Sequence, residues 1–322
     1  MIYRSFPALV DRLPLPASLP AQRAAAAAVV ATQAGIAVTG AVVRVTASGL
    51  GCPTWPQCFP GSFTPTGVSE VPVVHQAVEF TNRMLTGLIV VCAALVVLVV
   101  TRARRRREVA AYAWLMPAGT VLQAVIGGIT VRTGLLWWTV AIHLLASMLM
   151  VWLAVQLYAK IGEPDDGVVS ARVPAPLRLL TAVGAVALTA TLVAGTMVTG
   201  AGPHAGDKDN LETVPRLALP IVALVHAHAQ FVVGYLALLI GLLCGLYAVH
   251  AARPVLARGW AVLGVALAQG LVGVVQYFTH VPAALVAVHV AGAALCTVAT
   301  AALWASQHTR VRPDSARPSE RV

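Results

Sequence analysis

The chain has 322 residues, 58% of them hydrophobic and only 11% charged, with a mean hydropathy of +0.81. A soluble domain carries about twice that charged fraction, and the apolar runs are continuous rather than alternating, which argues against a β-barrel and for a polytopic helical membrane protein in a lipid bilayer. The net charge of +10 comes with no aromatic-and-basic motif, so no nucleic acid partner is expected; positively charged loops on one membrane face account for it.

Residues 1–23 contain Arg4, Asp11, Arg12, Arg23 and four prolines, and are read as a cytoplasmic segment rather than a cleaved signal peptide. Eight spans are then expected, near 24–45, 79–101, 110–131, 138–159, 177–199, 219–249, 257–278 and 283–306. Each approaches or exceeds the roughly 20 residues that cross a bilayer. With both termini cytoplasmic, 17 of the 22 Lys and Arg residues lie inside, including RARRRR at 102–107. The other five, Arg44, Arg83, Arg132, Lys208 and Arg216, lie outside. That asymmetry orients a multi-pass protein of the cell membrane.

The fold class expected is all-α, with eight transmembrane helices as two pseudosymmetric four-helix bundles over 24–161 and 177–306. A cytoplasmic linker, 162–176, joins them and opens with the acidic stretch GEPDDG. The Pro- and Ser-rich tail, 307–322, is expected to be disordered. An outer loop over 47–78 carries SGLGCPTWPQC at 48–58.

Shifting the sequence by 146 positions aligns the halves. Gln123 meets Gln269, Gly127 meets Gly273, and VAIH at 140–143 meets VAVH at 286–289, so that His143 meets His289. The same offset carries Asn82 onto His228. VTGAVVRVTASG at 38–49 resembles VAGTMVTGAGPH at 193–204 only loosely, and at a different offset.

Of nine histidines, His143, His228 and His289 each fall a few residues inside a span, toward the outer side. Ionisable groups there are expensive and face a protein interior or cavity. A lone one could simply bond a neighbouring carbonyl. Two at equivalent repeat positions, with His228 on a further helix, point to metal ligation. His228 and His289, from different helices at similar depth, suit the two axial positions of a heme iron. Zinc would want three or four ligands, and Cys244 and Cys296 read as buried apolar residues. His226 competes with His228, but two residues along a helix is about 200° around it, and the repeat selects His228. His204, His250, His280 and His308 read as loop or interfacial side chains.

The first half breaks the pattern, because Asn82 stands where His228 has its twin, in EFTNR at 79–83. An amide is a poor iron ligand, so the first site offers one imidazole, His143, and an open position. Glu79 lies one turn from Asn82 on the same helix face. It reads either as a catalytic carboxyl or as an interfacial acid paired with Arg83. His75 falls just outside the expected span, one turn before Glu79.

Together VTGAVVRVTASGLGCPTWPQC, EFTNR, QAVIGGITVRTGL, VAIH and VAVH resemble the heme A synthase family, over about residues 25–305. The resemblance implies two pseudosymmetric four-helix bundles and oxidation of the C8 methyl group of heme O to a formyl group, giving heme A for cytochrome oxidase. It implies heme b as cofactor on His228 and His289, and a substrate site with His143, Asn82 and Arg83. It assigns the important glutamate to Glu79. Heme O synthase and cytochrome oxidase assembly factors are the implied partners, with an electron donor the sequence does not identify. Many members have histidine at the position of Asn82, and some carry a second outer cysteine pair where this chain has GAGPHAGDKDN.

Cys52 and Cys58 lie on the oxidising face, where a disulfide persists. Pro53 and Pro56 favour a tight turn between them, and no third thiol or histidine in the motif supports a metal. The pair is either a staple or a redox-labile disulfide open to a thiol-disulfide partner. Against the synthase stand two alternatives, a di-heme b-type membrane electron-transfer protein and a heme transporter.

Overall fold

A computed structural model of the chain describes residues 2–67, 71–207 and 214–311. Among these residues a short helix α1 (Ile2–Val10) precedes eight helices long and apolar enough to cross a membrane. These are α2 (Leu19–Val45), α3 (Val73–Arg102), α4 (Arg107–Arg132), α5 (Trp137–Ile161), α6 (Ala175–Ala201), α7 (Ile221–Ala248), α8 (Arg253–Phe278) and α9 (Ala283–Ser306). In hydrocarbon every backbone polar group must be satisfied within the chain, and the helix does this segment by segment. Proline marks where the helices begin. It stands at the cap or in the first turn of α2, α3, α6, α7, α8 and α9, positions at which its missing N–H leaves no helical bond unmade.

The expected second span begins six residues earlier than hydropathy places it, at Val73 behind Pro72. Polar His75 and Gln76 depress hydropathy over this stretch without breaking the helix, and Gln76 is buried. His75 therefore lies within the first turn of α3, not outside it.

Helices α2–α5 pack in a ring, each against its chain neighbour and α5 back against α2. Helices α6–α9 form a second ring in the same order, closed by α6 on α9. The rings meet through α2 and α5 on one side and α6 and α9 on the other. At that seam Ala37, Met148 and Ala294 form a small apolar core with Leu144, Leu192 and Val290. Gln156 donates to the Ala301 carbonyl at 2.9 Å across it.

One end of the molecule carries the Cys52–Cys58 loop and the other the arginine run. At the arginine end Arg105 donates to Asp165 at 2.8 Å and to the Ile161 and Glu163 carbonyls, and Arg106 donates to Glu163 at 2.6 Å. The acidic linker is thereby folded onto the basic turn. Burial alone pushes the Asp165 carboxyl up, but the hydrogen bonds from Arg105 and the Arg106 backbone, with both guanidinium charges, hold it below the usual carboxylate range.

The start of the tail is more ordered than expected. β1 (Val168–Ala171) pairs antiparallel with β2 (His308–Val311), with Val168 opposite Val311. Arg310 reinforces the pair by donating to the Gly167 carbonyl at 2.8 Å. The pairing satisfies backbone groups that composition alone leaves to water. Residues 312–322 of the tail lie outside the described residues.

Candidate functional site

α7 and α9 present His228 and His289 to each other. Their ring centroids are 6.3 Å apart and the planes are inclined by 66°. Glycine makes room for both rings. A β-carbon at Gly195 on α6 would sit 3.2 Å from the His228 ring, and one at Gly273 on α8 would sit 3.1 Å from the His289 ring. The His228 Nδ1 lies 3.0 Å from the Thr191 carbonyl. A carbonyl only accepts, so Nδ1 carries the proton and Nε2 keeps its lone pair. The His289 Nδ1 is buried with no hydrogen-bond partner among the described residues. His226 lies on the exposed face of α7, pointing away from this pair.

In the first ring His143 on α5 lies against Gly127 of α4, where a β-carbon would be 3.4 Å from its ring. Its Nδ1 is likewise buried and without a partner among the described residues. The repeat glutamines hold both helices that carry these histidines. Gln269 donates to the His289 carbonyl at 2.7 Å. Gln123 reaches the His143 carbonyl through Ser147, donating to its hydroxyl at 2.6 Å, while that hydroxyl donates to the carbonyl at 2.9 Å.

Asn82 does not replace the missing imidazole. Its amide oxygen accepts the Thr39 hydroxyl at 2.7 Å, and an amide nitrogen offers no lone pair to a metal. Gly40, beside Thr39 on α2, has no atom within 4 Å of a β-carbon position, whereas Gly195 faces His228.

Glu79 is 5% exposed and engaged on both oxygens. Oε2 accepts the Cys52 backbone N–H at 2.7 Å, and Oε1 accepts Arg83 Nη2 at 2.5 Å and Nε at 3.1 Å. Arg83 turns toward the cysteine loop, donating to the carbonyls of Cys52 at 2.7 Å, Thr54 at 2.9 Å and Gln57 at 3.2 Å. The i, i+4 pairing of Glu79 and Arg83 is therefore present, and the pair grips the loop. His75 meets the Ser48 hydroxyl at 2.9 Å.

The loop itself is closed by a Cys52–Cys58 disulfide. It packs on two helices. Gly51 lies so close to the His75 carbonyl that a β-carbon could not fit there, and the Trp55 ring lies on Gly128 of α4, 2.5 Å from a β-carbon position. Arg132 donates to the Trp55 carbonyl at 3.1 Å. Gly49 donates to the Gly206 carbonyl at 2.8 Å, joining this loop to the one after α6.

The donor set suits a heme iron in the second ring. Two imidazoles on opposite sides of one iron put their ring centres about 6 Å apart, which matches the separation of His228 and His289. The tautomer imposed by Thr191 leaves His228 Nε2 free to ligate, as such second bonds do for metal-bound histidines. No group of three or more His, Cys, Asp or Glu side chains converges among the described residues, so the set does not suit zinc. A cavity of about 490 Å³ between α6 and α7, lined by Leu180, Gln230 and Tyr235, contains none of these histidines.

The COX15-CtaA family, described as cytochrome oxidase assembly protein, matches residues 23–301. The chain belongs to this family. It is also similar to the heme A synthase of Geobacillus thermodenitrificans, at 29% identity over 101 residues. That similarity covers 31% of this chain and 30% of the relative's length. In this member of the cytochrome oxidase assembly family, several residues around the site escape a reading of the sequence alone. Thr39 and Ser147 are ordinary in composition. Their roles appear only when α2 meets α3 and α4 meets α5. Trp55 and Gly128 are 73 positions apart, and nothing local to either marks their contact.

Proposed function

We propose that this chain is a heme A synthase, oxidising the C8 methyl group of heme O to a formyl group for cytochrome oxidase. Its family and its similarity to a heme A synthase support a role in heme A synthesis or cytochrome oxidase assembly. The observation that carries the finer reading is the contrast between the halves. The second has two facing imidazoles 6.3 Å apart, and the first has one imidazole with an amide engaged elsewhere. Two facing imidazoles would suit a heme b that stores and passes electrons, whereas a single imidazole would leave a substrate heme approachable. That asymmetry favours an enzyme over an electron-transfer protein with two equal sites.

Heme iron supplies the redox chemistry that no side chain has. His228 and His289 hold the cofactor heme b in the second bundle. His143 would hold the substrate in the first, where Asn82 offers no second imidazole. Glu79 serves that site as the acid–base group, at a carboxylate sheltered from water by the cysteine loop. Arg83 keeps Glu79 and the loop together and so acts as a positioning residue. The disulfide keeps the loop closed over the bundle end as a lid. Termini on the cytoplasmic side of the cell membrane put that lid outside, in agreement with the Lys and Arg asymmetry.

Expression in a host that makes heme O, followed by extraction and mass analysis of the hemes, tests the reading. Heme A, or a hydroxylated heme O intermediate, is the expected product. Heme b and unchanged heme O alone, under air and with the protein present in the membrane, would exclude a synthase.

A further inference from the structure

Two guanidinium groups converge at the end of α6. Arg44, in the last turn of α2, donates through Nη2 to the Thr199 carbonyl at 2.7 Å, crossing from one ring of helices to the other. Arg216 donates through Nη2 to the same carbonyl at 3.1 Å and to the Gly202 carbonyl. Neither has a carboxylate partner among the described residues. The negative end of the α6 dipole offsets this concentration of charge only in part. The Arg44 Nε is buried and has no acceptor among the described residues. The backbone around Arg216 is held in place, because Leu217 donates to the Gly200 carbonyl at 3.1 Å and the Trp137 side chain packs on Gly200. Charge in excess on a fixed frame calls for an anion.

Position identifies the kind of anion. Thr199 lies one turn beyond Gly195 on α6, about 6 Å along the axis, and Gly195 is the residue against which the His228 ring rests. The guanidinium pair therefore stands just outside the two imidazoles, at the cysteine-loop end. A heme is a flat apolar ring with two carboxylates on one edge. Carboxylates left in hydrocarbon are strongly disfavoured unless paired, and the planar guanidinium fork matches them in charge and geometry.

We infer that Arg44 and Arg216 form a carboxylate clamp for the propionates of the heme held between His228 and His289. The inference rests on the heme reading proposed above. Because one arginine comes from each ring, the same contacts fasten the two bundles to each other when the heme is in place.

The full-length protein, produced under limited heme supply and purified in neutral detergent, is titrated with protoheme and separately with protoheme dimethyl ester, following the low-spin Soret band. Protoheme should bind at least about tenfold more tightly than the ester, the size of one charge-assisted hydrogen bond. R44Q/R216Q should abolish that preference while leaving ester binding unchanged. In the heme-loaded protein the same variant should lower the midpoint potential, because lost positive charge favours ferric iron.

Equal affinity of the unaltered protein for the two hemes would overturn the clamp. So would an equal loss of both in R44Q/R216Q, which would reduce the arginines to caps of α6. A drop in co-purified anionic phospholipid, with the preference for protoheme intact, would assign the pair to a lipid phosphate instead. No low-spin band with either heme would overturn the heme reading itself, a result distinct from these.

Discussion

The His228 and His289 rings face each other at 6.3 Å, each against a glycine of a neighbouring helix. The glycines leave the space that the two imidazoles occupy. Without a side chain at Gly195 or Gly273, each ring can stand upright in the bundle rather than being pushed along it.

His228→Ala and His289→Ala should each remove the low-spin heme from the purified protein, read from its visible spectrum. Gly273→Val should lower heme occupancy with both ligands intact, since even one β-carbon there reaches 3.1 Å from the imidazole. Gly234→Ala is the control, because no atom lies within 4 Å of its β-carbon position. Full heme in Gly273→Val would separate the glycine from the site.

Asn82→His restores a second imidazole to the first bundle. It should add a second low-spin heme signal and reduce turnover, since the approachable face is then closed. Electron paramagnetic resonance distinguishes the two low-spin centres. An unchanged spectrum would mean that residue 82 does not face the iron of the first site.

Glu79 is buried and Arg83 partly so, and removing the guanidinium leaves a buried carboxylate uncompensated. Arg83→Gln should destabilise the protein by up to roughly 3 kcal/mol, the low end of the range for breaking a buried pair because Arg83 is partly exposed, and expose the cysteine loop to proteolysis. Glu79→Ala should abolish product while the low-spin heme of the second bundle remains. Replacing both Cys52 and Cys58 by serine separates staple from redox group: turnover restored by lower temperature alone indicates a staple.

Much of this arrangement is legible in the sequence, for identifiable reasons. The eight spans follow from apolar length, which the bilayer dictates directly. His228 is selected over His226 by the repeat, and the structure turns His226 to the exposed face. Hydropathy places the start of α3 late because His75 and Gln76 are polar yet lie within its first turns. The β1–β2 pair escapes notice because Val168–Ala171 and His308–Val311 are 137 or more residues apart and too short for alternation to register. The i, i+4 spacing of Glu79 and Arg83 admits their pairing, but Arg83's grip on Cys52, Thr54 and Gln57 depends on how the loop folds back.

At the arginine end, Asp165 ties the linker to Arg105 and the Arg106 backbone. A carboxyl whose folded pKa is depressed contributes stability that is fully present above its unfolded value and lost as pH falls through the folded value. The contribution should therefore be complete at neutral pH and disappear only on acidification below the ordinary aspartate range. Asp165 is 43% exposed, so after screening Asp165→Asn should remove at most about 1 kcal/mol at pH 7. Thermal unfolding in detergent should show that difference at pH 7 and none once the carboxyl of the unaltered protein is protonated.

The most direct test of the central claim is turnover by the purified, heme b-loaded protein supplied with heme O, reductant and air, with the hemes then extracted and resolved by mass. Heme A should be formed by the unaltered protein and not by Glu79→Ala, while both retain the heme between His228 and His289. Heme O recovered unchanged from an intact, heme-loaded protein would contradict it.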